Sequence, residues 1–366
     1  MTEIEREELF KRNNKIIEIV VDAIRKYCPL EVDLIGIGGS FCTGDFYEKS
    51  DLDLVIIGSN EAAKVLNKCF ILNNVGFDVY VQDWSRFVSM AEYNSPYVTK
   101  LIDLDIKYVK NDNVKDRYLE LSNRLKENMN DTDSIKAKIG MKYEVCRSYY
   151  KKLINSNDKS DILMNYGMLI RTVEFIIYMI NKEYVKGSTR NIPDEINKLS
   201  IMPSNFLKAY NSILDFDNME HIKIIAFGLI SSLEAYIRYS NISFKEDYEL
   251  PENEIKKDVI TSDLLTGTYE EIYSNWYNKM KYAVSNNHKY LSFATMVSCQ
   301  EFYNEMADSY DIPRIDLIGN YDNDNLQNNV IAFEKAMNEW KKLYDMFNKS
   351  VVSYNDLDGL SCLYGL

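Results

Sequence analysis

Two aspartates, Asp51 and Asp53, stand one residue apart in the run Ser-Asp-Leu-Asp-Leu-Val-Ile-Ile. On an extended segment both carboxylates point to the same side. Side by side they repel, and one is neutralised unless a divalent cation sits between them. Hard oxygen ligands suit Mg²⁺. About ten residues upstream lies a turn, Gly38, Gly39 and Ser40. There the backbone can approach a ligand closely, and its N–H groups with the Ser40 hydroxyl can cradle phosphate oxygens. The turn would hold a triphosphate tail, and the aspartates the metal that bridges to it. That is machinery for transfer of a nucleotidyl group at the α-phosphorus, with pyrophosphate leaving.

The elements that must position these residues follow from the pattern of apolar residues. A helix is expected over 2–27, with Leu9, Ile16, Ile17, Val20, Val21 and Ile24 at helical spacing and Pro29 as its stop. Strands are expected at 32–37 and 51–57, on either side of the glycine turn. A short helix is expected at 60–71, opened by Asn60, then strands at 75–84 and 103–110. From about residue 114 helices dominate: 134–154, 161–184, 205–214 and 220–239. A polar stretch at 243–258 reads as a connection. Further helices follow at 269–284, 293–310 and 328–347.

The strand, the Gly39–Ser40 turn with Gly44, then Ser50 and Asp51-Leu52-Asp53-Leu54 resemble the polymerase-β-like nucleotidyltransferase superfamily. The helical remainder resembles antibiotic nucleotidyltransferases of the aminoglycoside and lincosamide type. The resemblance implies an α+β fold: a small α/β nucleotidyltransferase domain with a mixed sheet over residues 1–115, then one or two helical domains, at 116–242 and 259–350. It implies nucleotide contacts from Gly38, Gly39, Ser40 and Ser50, and metal ligands in Asp51 and Asp53. A third carboxylate is implied on a neighbouring strand. Asp78, mid-strand among apolar neighbours, fits that place, and Asp83 is its rival. Two Mg²⁺ ions and a nucleoside triphosphate are the implied cofactor and co-substrate. The activity implied is transfer of AMP from ATP to a hydroxyl of a small molecule, an aminoglycoside or lincosamide, and hence antibiotic resistance. Alternatives within the class are a protein or tRNA acceptor or synthesis of a nucleotide signal. An alternative outside it is a silent nucleotide binder.

The helical half is expected to supply the acceptor pocket and a cation for the triphosphate. Lys138, Lys142, Glu144 and Arg147 gather along one helix, and Arg171 and Glu174 stand one turn apart on another as a buried pair. Glu144 and Glu174 are candidates for the hydroxyl-activating base, and Lys142 for a phosphate contact. Tyrosines at 149–150 and 273–282 read as packing, or as stacking on a base or acceptor.

Several features read as inert. Asp103-Leu104-Asp105 repeats the aspartate spacing without a glycine turn and is expected to be an edge strand with a solvated face. His221 and His288 are isolated, and Cys42 is a small half-buried side chain rather than a nucleophile. The six cysteines are scattered with no paired spacing, so no zinc site or disulfide framework is indicated. A net charge of −13 excludes a general nucleic-acid binder. The charged first residues lack a signal-peptide core, and no run approaches the length needed to span a bilayer, so a cytoplasmic enzyme without membrane contact is expected. The oligomeric state is not legible.

Overall fold

A computed structural model describes residues 2–44, 46–58, 61–251 and 257–366. The fold is α+β, and its mixed sheet has strands β1 (Val32–Ile37), β2 (Leu54–Gly58), β3 (Lys68–Leu72), β4 (Val75–Gln82), β5 (Asp105–Val109) and β6 (Ser353–Tyr354) in the order β5-β1-β2-β4-β3-β6. β1 runs antiparallel to β2 and β5, and β3 antiparallel to β4; β2 pairs with β4, and β3 with β6, in parallel.

Helix α1 (Glu3–Tyr27) begins with a capping box between Thr2 and Glu5 and ends two residues before Pro29. Its apolar stripe, Ile16, Ile19, Val20, Ala23 and Ile24, is buried against one face of the sheet. The next helices are α2 (Ser40–Thr43), α3 (Trp84–Ala91), α4 (Thr99–Ile102) and α5 (Asp112–Asn130). The second face of the sheet, through Leu34, Val55 and Ile57, shares one apolar cluster with α3, α5 and the long helices. The long helices are α6 (Thr132–Asn155), α7 (Lys159–Ile180), then α8 (Ile192–Lys198), α9 (Phe206–Tyr210) and α10 (Met219–Tyr239). After the connection come α11 (Ser262–Leu265), α12 (Thr268–Ile272), α13 (Asn278–Ser285), α14 (Lys289–Ser309), α15 (Gln327–Met346) and α16 (Leu357–Leu363). The chain end returns to the sheet: β6 pairs with β3, and Leu360 and Tyr364 join the cluster under α1.

Three expectations are corrected. The helix at 60–71 is a 3-10 helix, Glu61–Leu66, followed by β3; its expected opener, Asn60, lies outside the described residues. β3 and β4 form a hairpin whose two turn residues, Asn73 and Asn74, both have positive φ, 51° and 61°. Paired positive φ matches the right-handed twist of the strands, and asparagine tolerates it. The helix at 269–284 is broken between α12 and α13 by a π-helical turn, Tyr273–Tyr277. The apolar length of α7 exceeds what the sequence reading allowed. By length and composition it could cross a membrane, and 72% of its most apolar window is buried inside the fold. Part of the connection, residues 252–256, lies outside the described residues.

Candidate active site

The ladder between β1 and β2 runs one step past both strands, because the Gly38 N–H donates to the Asp53 carbonyl at 2.9 Å. Asp51 and Asp53 therefore precede β2 rather than lie within it. The Leu54 N–H reaches back to the Leu52 carbonyl at 2.8 Å and kinks the segment. Alternation survives the kink: Leu52 and Leu54 are buried, while Asp51 and Asp53 face a cleft. Gly39 is required beside them. Its φ is +65°, and a Cβ there would lie 1.6 Å from Asp53 Oδ2.

The parallel register of β2 and β4 pairs Val55 with Tyr80. Carried back two residues, it sets Asp53 level with Asp78 on the same face. Burial first, then repulsion from Asp53 and Asp78, raises the Asp51 carboxyl above the usual range. Asp78 is raised by burial and Asp53, with Lys100 and Lys279 pulling it back. Behind them the Glu271 carboxyl is pushed up to about 7 by burial and by Asp78. Asp83, the rival third carboxylate, instead caps α3, accepting from the Ser85 N–H at 2.6 Å.

Sequence reading missed most of the surround. Arg12 of α1 donates to the Ser50 carbonyl at 2.8 Å, lies 5.1 Å from the Phe77 ring, and is held down to about 10 by burial while Asp51 favours its charged form. Ser274 Oγ donates to Asp51 Oδ2 at 3.3 Å and to the Gly76 carbonyl at 3.0 Å. It gets that close because Gly76 has no side chain: a Cβ there would meet Ser274 Cα at 2.6 Å. The π turn that carries Ser274 is a form often found at functional sites.

The cleft between the sheet and the helices has a volume of about 230 Å³. Lys49, Lys186, Arg190 and Lys279 line it with Asp51 and Asp53. Lys186 and Arg190 come from the stretch Lys-Gly-Ser-Thr-Arg after α7. A glycine flanked by hydroxyls and basic residues at a helix end was the signal available for it. Tyr47 and Tyr282 meet across the cleft at 4.2 Å, with the Arg190 guanidinium 5.0 Å from the Tyr282 ring.

Gly39, Ser40 and Ser50 line the cleft; Gly38 and Asp78 do not. The Ser50 hydroxyl accepts from the Tyr47 N–H at 2.9 Å and so ties the loop. Lys142 and Glu144 do not line the cleft. Lys142 sits 5.6 Å from the Phe175 ring, and Glu144 accepts from the Lys245 N–H at 2.7 Å. The expected Arg171–Glu174 pair is not made: Arg171 grips Glu301 with two bonds of 2.6 and 2.7 Å. Glu174 lines a separate pocket. Asp103 reaches the cleft wall, which its reading as a solvated edge did not foresee. Cys42 also lines the cleft and is exposed rather than half-buried, yet the cleft partly desolvates its thiol and so raises it, the wrong direction for a nucleophile. His288 caps α14, its Nδ1 accepting from the Leu291 N–H at 3.2 Å.

Among the described residues no group of three His, Cys, Asp or Glu side chains is arranged to hold a metal ion. The donor chemistry nonetheless fits a hard divalent cation, since Asp51 is raised by its carboxylate neighbours and a cation would relieve that repulsion. Mg²⁺ is usually held by one or two carboxylates and completed by water and substrate phosphates.

No protein-family model matches the chain, and no curated protein matches it. One solved structure, described as a nucleotidyltransferase-like protein from Exiguobacterium sibiricum 255-15, is similar over 58% of this chain and 74% of its own, with 12% identity and a TM-score of 0.38. The likeness is distant and says nothing of substrate or metal.

Proposed function

We propose that the chain is a nucleotidyltransferase that moves AMP from ATP to a hydroxyl of a small-molecule acceptor and releases pyrophosphate. The observation that carries this is a half-buried group of carboxylates: Asp51 and Asp53 line a cleft with a basic rim beside a glycine turn, and Asp78, level with Asp53, adds to the repulsion on Asp51. Asp51 and Asp53 would hold Mg²⁺, and Asp78 completes the cluster from β4. Bound there, the metal would neutralise phosphate charge and orient the reacting oxygens.

The protein's own groups do the positioning. Gly39 and Ser40 bring backbone to the β- and γ-phosphates. Lys49, Lys186, Arg190 and Lys279 balance the charge of the triphosphate and of the departing pyrophosphate. Ser274 and Arg12 fix the Asp51 loop. The Tyr47–Tyr282 pair under Arg190 offers an aromatic face to the nucleobase. The acceptor oxygen bonds to the α-phosphorus, the bond to pyrophosphate breaks, and the hydroxyl proton goes to a carboxylate of the cleft. Little covalent chemistry is asked of the protein. The sequence resemblance suggests an aminoglycoside or lincosamide antibiotic as the acceptor.

The test is pyrophosphate release with Mg²⁺ and each of the four NTPs, against a panel of hydroxylated acceptors. Release that needs one acceptor and vanishes in Asp51→Asn/Asp53→Asn is the expected result. Release that is equal in that variant overturns the reading.

A further inference from the structure

Tyr97 and Thr189 line the cleft and also a second pocket of about 230 Å³ between α7 and α14. The second pocket, here termed the side chamber, therefore adjoins the first across these two side chains. Its walls are largely apolar, with Ile170, Tyr290, Phe293, Ala294 and Val297, and Arg171, paired to Glu301, also lines it. One acid stands in it. Glu174 is only 2% exposed.

The bonding of that acid is one-sided. The hydroxyls of Tyr210 and Tyr290 both donate to Oε1, each at 2.7 Å. Among the described residues nothing donates to Oε2. Arg171, one turn earlier on α7, is committed to Glu301 at 2.6 and 2.7 Å. A carboxyl with one oxygen unmet, facing an apolar chamber, is a costly arrangement unless a donor arrives from outside. Glu174 does not line the cleft that holds Asp51 and Asp53, so it is placed to hold an acceptor rather than to activate its hydroxyl.

We infer that the side chamber binds the ammonium group of a small acceptor that carries a single amine on an apolar body, with its hydroxyl directed toward the aspartates. This rests on the nucleotidyltransferase reading above. An ammonium would give Oε2 the charge-assisted bond it lacks. Tyr97, Tyr290 and Phe293 supply aromatic surface for the cation and for the body behind it. With one carboxylate the chamber neutralises one positive charge; a polycation would leave further charges unpaired among apolar walls. The chamber thus selects a monoamine over a polyamine, and narrows the acceptor suggested above away from the polycationic aminoglycosides.

Calorimetric titration of the full chain at about pH 8, above the value of about 7 to which burial pushes the Glu174 carboxyl, tests this, with 2-phenylethylamine as the probe and 2-phenylethanol as its neutral counterpart. The amine is expected to bind at least about tenfold tighter than the alcohol, the size of one charge-assisted bond. Glu174→Gln should erase that preference, since glutamine still accepts from both tyrosines but offers no charge. Ala294→Leu, which narrows the chamber, should weaken both probes, and it carries the test if the first variant does not fold. Equal binding of amine and alcohol, or amine binding undiminished in both variants, overturns the inference. Pyrophosphate release is followed on the same samples. Amine binding without transfer to any acceptor keeps the amine site and removes the transferase reading. Transfer to neutral acceptors with no amine binding overturns the side-chamber inference alone.

Discussion

Asp51-Leu52-Asp53 and Asp103-Leu104-Asp105 share a spacing and flank the same strand: Ile37 at the end of β1 pairs with Leu54 on one side and with Asp105 on the other. Their surroundings differ. Asp105 lies 2.6 Å from Lys107 on the exposed edge strand, and Asp103 accepts from the Tyr184 hydroxyl at 3.2 Å. Leu104 fills the space over Gly36, where a Cβ would come within 2.5 Å of its Cγ. Those charges are met locally. Asp51, by contrast, faces two carboxylates, and Lys279 and one serine hydroxyl only partly relieve it. Spacing alone therefore does not make a cation site. What sets Asp51 apart is the third carboxylate that the sheet register adds, offset only in part by Lys279 and Ser274.

The largest effect that could break this comparison comes from neutralising each segment in turn. Asp51→Asn/Asp53→Asn should reduce pyrophosphate release by at least about 10³-fold, the loss of several kcal/mol of transition-state stabilisation. Asp105→Asn should leave it unchanged within the roughly 0.5 kcal/mol typical of exposed substitutions. Next comes the turn. Gly39→Ala places a methyl against Asp53 in left-handed backbone and should cost about 1–3 kcal/mol in denaturant unfolding, with loss of NTP binding. A smaller effect is expected at Lys279, whose charge faces both Asp51 and Asp78. Lys279→Met should weaken NTP binding about tenfold by calorimetry, a cation–phosphate contact being worth about 1.5–3 kcal/mol.

The smallest prediction concerns the other buried acid. Burial pushes the Glu174 carboxyl up to about 7, against hydrogen bonds from Tyr210 and Tyr290 and the charge of Arg171; Tyr97 and Tyr178 also face it. The folded state thus holds this proton more tightly than the unfolded chain. Stability is then lost as pH rises between the ordinary value of 4.5 and about 7. Melts at about pH 5 and about pH 8 should differ less in Glu174→Gln than in the wild type. An unchanged difference would move the titration elsewhere.

The position of the cleft was legible where it depends on local sequence. Gly39, Ser40 and the aspartate pair are close in the chain, and Asp78 betrays itself as a charge in an apolar strand. What was not legible depends on long-range contact. β3 hid inside an apparent helix because five apolar-rich residues fit either period, and only the Asn73–Asn74 turn marks the hairpin. Ser274 lies 223 residues from its partner Asp51, and only the bare backbone of Gly76 brings them together. Arg171 stands one turn from Glu174, the spacing of a pair, yet bonds Glu301 on α14, 130 residues away. The return of the chain end to the sheet through β6 rests on a two-residue strand that carries no periodic signal.

The most direct measurement is the thermal midpoint with Mg²⁺ and a non-hydrolysable ATP analogue, added separately and together, for three proteins: the wild type, Asp51→Asn/Asp53→Asn and Asp105→Asn. Ligand that binds only the folded state raises the midpoint by mass action. The wild type and the Asp105 variant are expected to rise most when metal and nucleotide are added together, and the Asp51/Asp53 variant is not. An equal rise in all three would contradict this expectation.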